Sequence, residues 1–169
     1  MRVLGIDPGL SRCGYGVVQN NPASSIQPGV DMISGGVIVT DHKDILGHRL
    51  SVFHGDFVSL LDDFSPDVVA IERILFRKNA KTAFGVGQAV GLVHMCCYQR
   101  GVPVVEYSAA EVKLAVAGHG SASKYQVQRM IQLLANLDEM PNPPDVADAL
   151  ALGMCHLANV SGGGALVLS

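Results

Sequence analysis

Residues 67–72 read DVVAIE, and this short stretch limits the fold more tightly than any other part of the chain. A strand that is apolar at nearly every position, rather than at every second one, needs cover on both faces. That environment is the buried middle of a parallel sheet with helices on either side. The segments around it fit. Residues 2–7 read as a buried strand, DPGLSRCG as a turn, and residues 14–19 as a returning strand, so the chain opens with a hairpin. Residues 20–29 form a polar loop and residues 32–40 a third strand. From Asp44 to Phe64 the apolar residues Ile45, Leu46, Leu50, Phe53, Phe57, Leu60 and Leu61 fall at helical spacing, and Ser65-Pro66 stops that helix. The loop ILFRKNAK, a helix over 82–100, a strand over 102–106 and a short helix capped by Ser108 follow. The small-residue loop GHGSASK leads to a helix over 124–136, and Pro143 and Pro144 open the last one. Three leading strands and then alternating helix and strand predict an α/β fold: a mixed central sheet, antiparallel then parallel, with helices on both faces. Residues 1–160 are expected to form a single domain and 161–169 a flexible Gly-rich tail.

Composition agrees with a folded domain. Apolar residues make up 49% of the 169 and charged residues 16%, which excludes a disordered chain. The apolar runs fall far short of the ~18 residues of a membrane span. MRVLGI has no basic region ahead of a long apolar core, so no signal peptide is expected. Cysteines 13, 96, 97 and 155 form no C-x-x-C pair and read as free thiols in a reducing cytoplasm.

Four acids mark the ends of apolar segments. Asp7 closes VLGID, Glu72 closes VVAIE, and Asp145 and Asp148 open PPDVADALALG. Each has a simpler explanation alone. D-P-G is an ordinary turn signal. Glu72 also fits a strand leaving the core. Asp145 also fits a first-turn acid, stabilised by the helix dipole by ~0.3–1 kcal/mol. Together they ask for more. Asp145 and Asp148, three residues apart, share one helix face and repel unless a cation lies between them. Carboxylates without matching Cys or His suit a hard cation such as Mg²⁺ or Mn²⁺. Cations held about 4 Å apart by shared carboxylates can activate water and stabilise a leaving oxygen, which is phosphoryl chemistry. Asp7, at the hairpin, is the expected bridging ligand. His156 reads as a core or surface histidine and not a ligand, and His119 has no assigned role.

The net charge of −3 is unevenly spread. From Arg73 to Arg129 there are eight Lys or Arg against two acids, while the rest of the chain holds four bases and thirteen acids. Such asymmetry supports a phosphate-binding face, although a solvated helix face would also account for it. Leu75, Phe76, Arg77 and Lys78, next to Glu72, combine apolar groups that can unstack bases with cations that can hold phosphates. Lys81, Lys113, Lys124 and Arg129 are further cations of this basic stretch and candidates to hold nucleic-acid phosphates. Gly85, Gly87 and Gly91 each cost the helix over 82–100 about 1 kcal/mol relative to Ala. They fit either close packing within the chain or the seam of a dimer.

In order along the chain stand GIDPG-x-x-x-x-GYGVV, AIE, NA-x-x-A-x-x-x-GQA-x-G, VK-x-x-V-x-G-x-GSA-x-K-x-QV and D-x-ADALA. This set, from residue 2 to about 158, resembles the bacterial Holliday-junction resolvase family RuvC. The resemblance implies an RNase H-like fold, a homodimer, and metal-dependent nicking of four-way DNA junctions in recombination and repair. The nicks are paired and symmetric, usually at short T-rich sequences, and leave 5′-phosphate and 3′-hydroxyl ends. It implies Asp7, Glu72, Asp145 and Asp148 as the catalytic, metal-binding tetrad, with Asp145 standing where some relatives have His. Lys113 and Lys124 match basic residues that bind DNA or support cleavage, and Gly85, Gly87 and Gly91 match the dimer helix. Two Mg²⁺ per subunit, replaceable by Mn²⁺, and the RuvA–RuvB branch-migration complex are the implied cofactor and partner. Where the family often has an aromatic residue three positions after its catalytic Glu, this chain has Leu75 followed by Phe76, so either side chain could be the junction wedge. An RNA-processing YqgF-like nuclease of the same fold and a catalytically silent junction-binding scaffold are the rival readings. GSASK and NAKTAFGVGQAVG oppose the first, and the intact tetrad opposes the second.

Overall fold

The computed structural model describes residues 1–23, 29–73 and 80–161, apart from the side chains of 80–82. Five strands form one sheet in the order β3-β2-β1-β4-β5. They are β1 (Arg2–Asp7), β2 (Arg12–Asn20), β3 (Val30–Val39), β4 (Val68–Glu72) and β5 (Val104–Tyr107). The first three pair antiparallel, whereas β4 lies parallel to β1 and β5 parallel to β4. The helices are α1 (Leu46–Phe64), α2 (Ala80–Gln99), α3 (Ala109–Ala117), α4 (Lys124–Leu134) and α5 (Pro144–Val160).

Strand periodicity divides the core in two. Val3, Val18, Val68 and Ala70 face α3, α4 and α5. Leu4, Ile6, Val17, Val69 and Ile71 face the other way, against Phe53 and Phe57 of α1 and Ala89, Val93, Cys96 and Cys97 of α2. DVVAIE is thus apolar on both sides because both sides of β4 are covered. Element bounds differ from the expected ones by up to two residues: β2 and β3 begin two residues earlier, and α1 begins two residues after Asp44. Ile45 and Leu46, expected on the buried face, are 79% and 44% exposed, because Ile45 is extended and precedes α1. Ser108 does cap α3: its hydroxyl accepts from the Glu111 N–H while the Glu111 carboxylate accepts from the Ser108 N–H. Ser123 and Gln126 repeat the arrangement at the start of α4.

Helix α5 is apolar almost all round, with twelve buried residues, so it can lie only inside the molecule, between the hairpin and α3–α4. It rests directly on strand backbone. A Cβ on Gly5 would lie 1.9 Å from the Ala149 carbonyl oxygen, and one on Gly14 would lie 2.2 Å from that of Asp145. Only glycine permits this approach, and the approach decides where the first turn of α5 sits.

The strand arrangement puts the functional ends together. Asp7 ends β1 and Glu72 ends the parallel β4, each one step beyond the Ile6–Ile71 pair. Antiparallel pairing brings the start of β2 and the end of β3 to the same edge, with Arg12 opposite Val39. Each helix that follows a strand begins there and runs back. One edge of the sheet therefore collects the carboxyl ends of β1, β4 and β5 and the N-terminal turns of the helices that follow strands, the general ligand-binding position of open α/β sheets.

Candidate metal and nucleic-acid site

Asp7 and Glu72 each follow a residue packed toward α1 and α2, so both carboxylates point to the α5 face of the sheet. Asp145 lies on the backbone of Gly14, the cross-strand partner of Asp7. Asp148 stands one turn further along α5 and lines a cleft of about 270 Å³ with Glu72, Lys113 and Lys124. Val112, Val127 and Leu152 form much of its apolar wall.

Asp7 and Glu72 sense the acids around them. Asp7 is pushed up to about 7, first by burial and then by the negative charges of Asp148, Glu72 and Asp145, with Lys124 opposing. Glu72 is also raised, by burial and then by Asp148, again against Lys124. The outer pair is neutralised from within the chain. Arg12 Nη2 donates to Asp145 at 2.9 Å and holds that carboxyl below its usual range. Lys124 Nζ donates to Asp148 at 2.5 Å, which raises the ammonium pKa.

With side chains in these positions, no three His, Cys, Asp or Glu residues among the described ones form a group able to hold a metal ion. Arg12 and Lys124 engage Asp145 and Asp148 in ion pairs instead. The donor chemistry fits a divalent ion nonetheless. The site is built from four carboxylates, and the repulsion on its inner pair, which Lys124 only partly offsets, is of the kind a hard cation relieves.

The remaining candidates separate. Lys113 and Lys124 line the acidic cleft. Arg129 is exposed and bonds Gln132 on its own helix, away from the cleft lining. Leu75, Phe76, Arg77 and Lys78 lie outside the described residues, as does the side chain of Lys81. The basic surplus between Arg73 and Arg129 is smaller in effect than the count suggests. Arg100, at the far end of α2, pairs with Asp62 at 3.0 Å and Lys124 with Asp148, both acids outside that stretch, while Arg73 lies near the stretch's own Glu106 and Glu111 at 3.8 and 3.9 Å. Close packing among the described residues does not explain the α2 glycines: a Cβ on Gly87 or Gly91 would meet none of them within 4 Å, and one on Gly85 only makes ordinary contact with Leu10. Phe84, Met95 and Tyr98 are 68%, 42% and 88% exposed on the same helix. His156 is a core residue, its Nδ1 2.8 Å from the Tyr107 hydroxyl. His119 is exposed, with Nδ1 3.4 Å from Ser121 Oγ.

Arg12 was missed in the sequence. A hairpin register that sets Asp7 against Gly14 would have placed Arg12 at the same edge, because it lies two residues before Gly14.

The family model for crossover junction endodeoxyribonuclease RuvC matches residues 3–156. A curated relative of that name from Thermomicrobium roseum is 46% identical over 156 residues, covering 92% of each chain. The solved structure of Thermus thermophilus RuvC superposes with a TM-score of 0.88 at 34% identity, covering 98% of this chain and 99% of that one. The T. thermophilus RuvC structure in complex with a Holliday junction substrate gives 0.89 at 34% identity, covering 98% of both.

Proposed function

The chain belongs to the crossover junction endodeoxyribonuclease RuvC family, with its RNase H-like fold, and we propose from this that its acidic edge is where a four-way DNA junction is cut. It is a metal-dependent nuclease that resolves Holliday junctions. The finer reading rests on one observation: Asp7 is raised to about 7 partly by the charges of Glu72, Asp145 and Asp148, so all four acids act on one spot.

Asp7 and Glu72 would form the inner ligand pair and Asp145 and Asp148 the outer one. They would hold Mg²⁺, two ions per subunit, with Mn²⁺ able to substitute. Bound there, the divalent ions supply an activated water and neutralise charge at the scissile phosphate, leaving 5′-phosphate and 3′-hydroxyl ends. The chain's own residues prepare that site. Burial of Asp7 and Glu72 keeps bulk water from screening their charge. Lys124 balances Asp148 and would be free to pair with phosphate where that carboxylate held a divalent ion. Lys113, on the same cleft, adds positive charge where negative charge develops in the transition state. Leu75 or Phe76 with Arg77, Lys78 and Lys81 opens and holds the junction beside Glu72, and Arg129 extends the basic surface.

The functional unit is a homodimer. Gly87 and Gly91, open to solvent beside exposed Phe84, Met95 and Tyr98, give α2 a small-residue seam with apolar flanks for a second copy. A two-fold dimer presents two equivalent sites to a nearly two-fold junction and so gives paired nicks. RuvA–RuvB is the proposed partner, and the cytoplasm the proposed location; among the described residues no helix is long and apolar enough to cross a membrane. Residues 1–160 serve as one nuclease domain, with 161–169 as its tail.

The test is incubation with a synthetic four-way junction, with Mg²⁺ and without it. Symmetric nicks that require the ion are expected. Binding without cleavage at any metal concentration would favour a silent scaffold, and preference for structured RNA would favour an RNA-processing enzyme.

A further inference from the structure

A second cleft, of about 360 Å³, opens at the catalytic edge on the β2 side of the acids and is lined by Gly9, Ser11, Arg12, Arg49 and Gly85. Arg49 reaches it from the first turns of α1. Its Nε donates to Thr40 Oγ1 at 3.1 Å and its Nη2 to Ser11 Oγ at 2.7 Å. The Thr40 hydroxyl is buried and donates its own proton to the Leu10 carbonyl at 2.5 Å, so its lone pairs are aimed at Arg49. Among the described residues Arg49 has no carboxylate partner.

This is an unusual way to hold an arginine. The side chain is half-buried and fixed in place, yet neutral hydroxyls leave its full charge uncompensated. Two of its five N–H groups are used, and the rest remain available. A second guanidinium, Arg12, lines the same cleft and spends one nitrogen on Asp145. Two cations in one concavity repel unless an anion lies between them. A planar, oriented guanidinium fork matches the oxygens of a phosphodiester.

We propose that Arg49, assisted by Arg12, forms a phosphodiester subsite on the β2 side of the acidic cluster. The DNA backbone then crosses the catalytic edge over two sets of cations, Lys113 and Lys124 beside Glu72 and Asp148 in the first cleft and Arg12 and Arg49 in the second. A strand held by both sets is fixed in its path over the acids. The inference rests on the junction-cutting reading and adds a contact that fixes the path of the strand. The alternative is that Arg49 only ties α1 to the β1–β2 turn.

The experiment measures binding of the full chain to a four-way junction in Ca²⁺ over a range of KCl concentrations. Arg49→Gln is expected to bind roughly tenfold more weakly and to flatten the slope of log K against log salt by about one. Arg49→Lys keeps the charge but not the fork; its slope should match the wild type while binding weakens several-fold. An unchanged slope for a folded Arg49→Gln protein overturns the proposal, because a purely structural tie changes stability and not the count of phosphates neutralised. If Arg49→Gln does not fold, Arg49→Lys decides, and wild-type affinity there overturns the proposal. Wild-type protein that binds no junction at all would instead overturn the junction reading, and this inference with it.

Discussion

Gly14 carries the first turn of α5 on its bare backbone: a Cβ there would lie 2.2 Å from the carbonyl oxygen of Asp145. Gly14 is also the cross-strand partner of Asp7. One residue without a side chain therefore sets the spacing between an acid on β1 and an acid 138 residues later on α5.

Gly5, with 1.9 Å to the Ala149 carbonyl oxygen, is the second such support. Gly5→Ala should cost about 3 kcal/mol by overpacking, a fall of roughly 2–4 °C in Tm for each kcal/mol. Gly87→Ala makes the contrast. With open space around it, the added methyl should stabilise the monomer by about 0.5–1 kcal/mol while weakening self-association. Thermal melting and sedimentation of both variants check the pair, and a neutral Gly5→Ala would contradict the close approach.

Asp7→Asn should reduce junction cleavage at least roughly 10²–10³-fold, the size of losing one transition-state electrostatic group, while binding in Ca²⁺ survives. The same substitution removes a buried charge surrounded by three others, so Tm in EDTA should rise. Lower stability together with full activity would refute the ligand role.

Lys124→Met separates two effects of one side chain. Removing the cation frees Asp148, so half-saturation of the Mg²⁺-induced rise in Tm should move to several-fold lower concentration. Cleavage should nevertheless slow by roughly 10–100-fold as positive charge near the phosphate is lost. Unchanged metal affinity would mean that Lys124 does not compete for the site.

His156 sets a pH dependence of stability. Burial holds its pKa below the ordinary 6.5. The unfolded chain then binds the proton first as pH falls, so the stabilising contribution is complete above about 6.5 and is lost as pH drops through the lower folded value. His156→Gln keeps a partner for the Tyr107 hydroxyl but does not titrate. Its Tm should fall less than that of the wild type between pH 7.5 and 5.5, and parallel curves would remove His156 as the cause.

The strands and the acids were legible in sequence for local reasons. DVVAIE shows its two-sided burial in its own composition, and Ser108 with Glu111 shows a capping box in four residues. Asp7 and Glu72 stand out because each ends an apolar run. Arg12, Arg49 and the pairing of Lys124 with Asp148 were not legible, because each depends on a partner 24 or more residues away or on a neighbour brought by another element.

The sequence by itself determined the order of elements and the two-sided sheet and singled out four acids at the ends of apolar runs, since periodicity and end-of-run charges are properties of short windows. Tertiary structure alone decided which cations face those acids and which glycines bear the helix that carries two of them. It also decided that Gly87 and Gly91 of α2 have no close neighbour among the described residues. Coulombic and steric terms depend on distances between segments, and those distances exist only once α5 has settled on the hairpin.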